Sequence, residues 1–233
     1  NQVRSIYIDN ANPRLLKVES VTGTGYYNAG KELYFQAAFN KDVTIADLTK
    51  VKLTLNIAGA GKTQSIAQAV SMPNAKALMF KYTIADGDKA DRLEFVSFDG
   101  GQNNILDVAD NAMTDFTPKE GKEDIKNSSI VIDTAVPAKP AVTGITNGTL
   151  YYSDIETIAF TGFESAESAT RYYSFDGGTS WTVYTDSVTP KIAQNGTYKV
   201  CAKQIDKAGN QSPVSDVVQV SLDKGNLLTS ITT

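Results

Sequence analysis

The sequence predicts an all-β chain built from two related β-sandwich domains in tandem, and three internal repeats predict it. Asp107-Val108-Ala109-Asp110-Asn111 returns 99 residues later as Asp206-Lys207-Ala208-Gly209-Asn210, and each copy precedes an alternating apolar run, Ser129 to Asp133 and Val217 to Asp223. That spacing is one sandwich domain long. Ile6-Tyr7-Ile8-Asp9-Asn10-Ala11-Asn12-Pro13 reappears as Ile130-Val131-Ile132-Asp133-Thr134-Ala135-Val136-Pro137. Tyr26-Tyr27-Asn28, leading to Phe35, reappears as Tyr151-Tyr152-Ser153, leading to Phe160. Repetition at a fixed period sets the architecture before any single residue is read. The match of Gln2 to Asp9 with the end of a module predicts that the segment comes from a longer array.

Strand signals recur at short intervals with turn residues between them. In the first module they predict strands at 15–22, 31–39, 50–57, 64–70, 77–84, 92–98 and 128–133. The run from Gly59 to Thr63 turns the chain between the third and fourth of these, Asp86-Gly87 follows the fifth, and Asp99-Gly100-Gly101 follows the sixth. Asp42 to Lys50 has room for one helical turn. In the second module strands are predicted at 141–146, 156–162, 169–175, 181–184, 188–192, 197–205 and 216–222. Asn147-Gly148, Asp176-Gly177-Gly178 and Asn195-Gly196 separate them with residues that tolerate positive φ. Seven strands per module is the immunoglobulin-like count. The division expected is a tail of a preceding module and linker at 1–13, domain 1 at 14–135, domain 2 at 136–224 and a linker onward at 225–233.

Composition narrows the function classes. A net charge of −4 gives no electrostatic reason to bind nucleic acid or an anionic membrane and leaves cations as the ionic partners. No window approaches the ~20 apolar residues of a membrane span. The chain has no histidine, which removes Ser-His-Asp and Cys-His nucleophiles and histidine-based zinc sites. No catalytic residue is assigned. The one cysteine, Cys201, cannot staple its own fold and reads as a small buried residue.

The residues from Val21 to Asn40 and from Asn104 to Asn111 resemble the opening and close of a bacterial immunoglobulin-like module. Val131 to Pro137, Asn195 to Tyr198 and Asp206 to Asn210 are similar to the immunoglobulin-like repeats of large bacterial adhesins and surface-layer proteins. The resemblance implies an extracellular place on the bacterial cell surface or wall, with neighbouring modules of the same chain as partners. Other copies of the protein and host or cell-wall glycans are further partners it implies. The function expected is a non-catalytic structural or interaction segment, either a surface-layer lattice subunit or an adhesin stalk.

Up-and-down topology brings the loop before the last strand to the end where the chain comes into a module. Asp133 should then approach Asp206 and Asn210, and Asp9 should approach Asp107, Asp110 and Asn111. Oxygens gathered in this way suit calcium, which takes six to eight of them, and the resemblance implies calcium between modules. The competing reading is that each aspartate caps its own loop by accepting backbone N–H groups.

The other motifs are weaker. Asp86-Gly87-Asp88-Lys89-Ala90-Asp91 lacks the pattern of an EF-hand and reads as a solvated hairpin. Gly59-Ala60-Gly61-Lys62-Thr63 ends like a phosphate-binding loop without its first glycine, and reads as a flexible hairpin. Ser174 to Trp181 resembles the Asp-box, a hairpin-stabilising device of sialidase propellers. An alternative function, a carbohydrate- or receptor-binding module appended to a secreted hydrolase, would use Tyr172, Tyr173 and Trp181 as contacts. Mutual packing of the aromatics would favour the structural role, and an exposed coplanar pair beside a groove the binding role.

Overall fold

The computed structural model describes residues 8–120 and 124–225. The chain forms two compact units, Asn1–Thr134 and Ala135–Thr233, both all-β sandwiches of the immunoglobulin-like kind. Parts of the expected leading tail (1–7) and trailing linker (226–233) lie outside the described residues.

The first unit contains strands β1 (Leu15–Ser20), β2 (Gly25–Tyr27), β3 (Glu32–Phe39), β4 (Val43–Ile45), β5 (Lys52–Leu55) and β6 (Ser65–Asn74). After these come β7 (Ala77–Thr83), β8 (Lys89–Ala90), β9 (Phe95–Asp99), β10 (Ile105–Asp107) and β11 (Ile130–Asp133). One antiparallel sheet runs in the order β1-β3-β7-β6-β5-β9. Period-2 alternation makes it amphipathic: along β3, Leu33, Phe35, Ala37 and Phe39 are buried while their neighbours are not. Opposite it, β2-β11-β8 and β10-β4 close the core, and Ile130, Ile132 and Ala90 pack into one cluster with Leu53, Leu78 and Phe80. Burying side chains of this size contributes about 1.5–3 kcal/mol each. Phe98 meets Phe39 and Phe80 edge to face at 6.4 and 6.0 Å.

The second unit contains β12 (Ala141–Thr143), β13 (Thr149–Tyr151), β14 (Ala159–Thr161), β15 (Ala169–Ser174), β16 (Thr182–Tyr184), β17 (Gly196–Asp206) and β18 (Val218–Leu222). A two-stranded sheet, β12-β14, faces a five-stranded one, β13-β18-β17-β15-β16. The buried cluster is smaller, with Ile155, Ile158, Ile192, Val200, Val220 and Leu222 at its centre. Cys201 is fully buried in β17.

Three expectations change. Residues 188–192 are not a strand: Ile192 makes only an isolated bridge to Ile155, because Pro190 has no N–H to donate to a ladder. The doubled tyrosines do not merely precede a strand. Tyr26 and Tyr27 lie in β2 and Tyr151 in β13, and each short strand pairs in parallel with the last strand of its unit. The helical turn expected in 42–50 is a 3-10 turn, Leu48–Lys50, capped by the Asp47 side chain, and a short helix, Asp124–Asn127, was not expected.

Candidate functional site

Asp107 ends β10, and the four residues after it fold back on its side chain. Asp110 N donates to the Asp107 carbonyl at 3.1 Å, closing a turn, and Asp110 sits at φ 62°, the left-handed region that aspartate tolerates. Ala109 N and Asn111 N both donate to Asp107 Oδ1 at 2.9 Å, and Asn111 Nδ2 donates to Oδ2 at 3.0 Å. The structure brings the expected partner in as well: Asn111 Nδ2 also donates to the Asp9 carbonyl at 2.9 Å. Between the two carboxylates stands Lys41, whose Nζ donates to Asp9 Oδ2 at 2.8 Å and to Asp107 Oδ2 at 2.9 Å.

Burial pushes the Asp107 carboxyl up, but the bonds from Asn111 and Lys41 and the two backbone amides outweigh it and hold the group far below the usual carboxylate range. Asp9 is lowered chiefly by its bond to Lys41. Both oxygens of Asp107 face N–H donors, and the point where Asp9 and Asp107 converge is taken by an ammonium. Calcium needs oxygen lone pairs free to converge on it, so this donor set does not fit the ion while Lys41 is in place.

The second unit repeats the turn and the asparagine bonds of this loop. Asp206 N donates to the Asn210 carbonyl at 3.1 Å and Gly209 N to the Asp206 carbonyl at 3.2 Å. Asn210 N and Nδ2 donate to Asp206 Oδ1 and Oδ2, both at 2.8 Å. Gly209 takes the left-handed position of Asp110, at φ 92°. Asp133 ends β11 in the first unit, paired with Lys89. Among the described residues no group of three or more Asp, Glu, Cys or His side chains is arranged to hold a metal ion.

Of the aromatic contacts, Tyr172 and Tyr173 point to opposite faces of β15, as alternation requires. Tyr173 is packed inward, stacked on Phe160 with centroids 5.8 Å apart and 5.1 Å from Phe175. Its neighbours continue the cluster. Tyr184 meets Phe160 and Phe163 at 5.2 and 5.5 Å, and Arg171 lies 5.3 Å from the Tyr184 ring while bonding Asp186 through both guanidinium nitrogens at 2.9 and 3.0 Å. On the opposite side, the Lys203 ammonium stands 4.5 Å from the Trp181 ring and 5.8 Å from Tyr172, and donates to Gln211 Oε1 at 2.9 Å. These two faces are thus engaged by the chain's own cation.

Sequence reasoning missed one further cluster. The run from Asp86 to Asp91 is not a plain solvated hairpin, because Asp88 is fully buried. Its Oδ1 lies 2.8 Å from Lys62 Nζ, while Tyr82 Oη and Ala85 N donate to Oδ2 at 2.5 and 2.8 Å. The Gly59–Lys62 turn is closed by reciprocal backbone bonds of 3.0 and 2.9 Å, and it lies against Gly87: a Cβ on Gly59 would stand 1.9 Å from the Gly87 carbonyl oxygen. Two glycines in two distant polar loops were the only signal of that approach. The Asp-box hairpin forms as its motif implies, with Ser180 N and Oγ donating to Asp176 and Gly178 N donating to Ser174 Oγ at 2.8 Å.

No family model and no curated protein sequence matches the chain. Among solved structures, it is similar to the fibronectin(III)-like modules of Clostridium thermocellum CbhA, at 14% identity and a TM-score of 0.39, covering 93% of this chain and 99% of that one. It is also similar to the N-terminal part of the bacterial S-layer protein SbsC, at 13% identity, TM-score 0.27, and 91% and 44% coverage. A third similarity is to SGBP-B of the Bacteroides ovatus mixed-linkage glucan utilization locus, solved with a mixed-linkage heptasaccharide, at 13% identity, TM-score 0.23, and 89% and 45% coverage. The chain spans under half the length of the last two. At TM-scores this low, the strand order described above carries the fold assignment alone.

Proposed function

We propose that this chain is a non-catalytic spacer segment of a bacterial cell-surface protein, in which two sandwich modules in series set distance and present faces to neighbouring modules or copies. One observation carries this reading: at the acidic pair of the first unit and at the candidate aromatic contacts of the second, the places where a ligand would be expected are occupied by the chain's own groups. Lys41 fills the Asp9–Asp107 pair, Lys203 covers Trp181 and Tyr172, and Tyr173 is packed into an aromatic cluster. The missing histidine adds to it by removing the commonest hydrolytic nucleophile arrangements. The extracellular location rests on the sequence resemblance, and no described helix is long and apolar enough to cross a membrane.

A screen of glycosidase, esterase and peptidase substrates should return no turnover. Reproducible turnover abolished by changing one acidic residue would overturn the proposal. The second reading is a glycan-binding module. It is favoured by Trp181 and Tyr172, which stand beside exposed Val183 on the side of the sheet away from the Tyr173 cluster. Affinity electrophoresis in soluble β-glucans separates the two. The spacer reading expects no retardation, and the glycan reading expects retardation that Trp181→Ala removes.

A further inference from the structure

We propose that the Lys41 ammonium is the built-in cation of the first module, clamping the incoming segment 8–13 to the Asp107 loop in place of a metal ion. Nζ has three oxygens around it: Asp9 Oδ2 at 2.8 Å, Asp107 Oδ2 at 2.9 Å and the Ala11 carbonyl at 2.5 Å. Two carboxylates and a carbonyl converging on one point are the ligand chemistry of a hard cation. An ammonium has three N–H donors, one for each.

Burial decides how much depends on it. The Asp107 side chain is fully buried whereas that of Asp9 is 41% exposed, so water can solvate one carboxylate but not the other. Without the ammonium, two anions would face each other at the edge of the core, and the exposed partner is the one on segment 8–13. The loop itself should survive, because Asp107 Oδ1 keeps its bonds from Ala109 and Asn111. Losing Lys41 should therefore lower the stability of the first unit, because Asp107 stays buried, while the local loosening falls on 8–13. Lys41 is held charged, its pKa raised by the bonds to Asp9 and then Asp107.

The second module does not repeat the lysine at the corresponding position. Lys41 lies six residues after Phe35, and the residue six after the repeated Phe160 is Ala166. The inference stands on the geometry of the first unit and does not depend on the spacer reading.

The test is amide hydrogen exchange of segment 8–14, whose Ala11 and Arg14 amides donate to Asp9 Oδ1 and Asn40 Oδ1 at 3.0 and 2.7 Å, in the 233-residue chain, in EDTA and in about 10 mM calcium, roughly ten times the upper end of the range for extracellular modules. Wild-type protection should be the same in both. In Lys41→Met the segment should exchange roughly tenfold faster, the equivalent of losing one to two hydrogen bonds, while amides of β3 and β7 stay protected. Calcium-dependent protection of the wild type would overturn the proposal, as would a Lys41→Met segment exchanging at the wild-type rate. Should Lys41→Met fail to fold, Asp9→Asn removes the same ion pair from the exposed arm, and unchanged exchange there would equally refute the clamp.

Discussion

Asp88 shows how one residue can depend on a partner far away in sequence. Burial alone would raise its pKa, but the Lys62 ammonium, the Tyr82 hydroxyl and the Ala85 amide outweigh that and lower it below its ordinary 3.8. Removing the cation leaves a buried, uncompensated charge. Lys62→Met should cost about 3 kcal/mol, the lower end of the range for breaking a buried pair, because the lysine itself keeps contact with water. Chemical denaturation at pH 7 measures it, and adding Asp88→Asn should recover part of the loss. The pH dependence follows from the sign of the shift. A depressed folded-state pKa stabilises fully above the ordinary value of 3.8 and is lost as pH falls through the depressed one. Melting curves between pH 7 and about pH 2 should therefore fall less steeply at the acid end for Asp88→Asn than for the wild type. An equal or steeper fall would place the acid-sensitive group elsewhere.

Whole elements were legible where period-2 alternation or turn chemistry is local, and obscure where pairing is decided at a distance. β3 announces itself by alternation, and β17 by the Asn-Gly that opens it and the apolar run Val200-Cys201-Ala202. β2 and β13 do not, since three residues pairing in parallel with a strand 105 or 71 residues on have no local signature. The same division holds at the sites. The loops after Asp107 and Asp206 could be read because each aspartate bonds residues within four of itself. Lys41 could not, because its partners are 32 and 66 residues away and Asn40-Lys41-Asp42 looks like any turn. Two predictions belong to hairpins. Gly59→Ala places a Cβ against the Gly87 backbone and fixes an L-residue at φ 129°. It should destabilise the first unit by at least about 2 kcal/mol, measured by denaturation. Asp176→Ala removes the acceptor for Ser180 N and Oγ, so amides of β16 should exchange faster while those of β18 do not change.

At the scale of the whole molecule, the two units differ in what they bury. The first places Phe35, Phe39, Phe80 and a full set of leucines and isoleucines at or near zero exposure. The second centres on six aliphatic residues and supplements them with aromatic rings that stay partly exposed, Phe160, Tyr173 and Tyr184 among them. Hydrophobic stabilisation scales with apolar area removed from water, so the second unit should be the less stable. Each has its own buried cluster, the condition for domains to unfold as separate units. Calorimetry of the full chain should thus give two transitions, the lower belonging to the second unit. Val200 and Leu53 are fully buried, one in each cluster, and assign the transitions. Val200→Ala, costing about 2 kcal/mol, should lower only the first transition, by roughly 8–16 °C for a domain of about a hundred residues. Leu53→Ala, costing about 3 kcal/mol, should lower only the second. A single transition shifted by both substitutions would mean that the units share their stability, and two cores would then be unfolding as one.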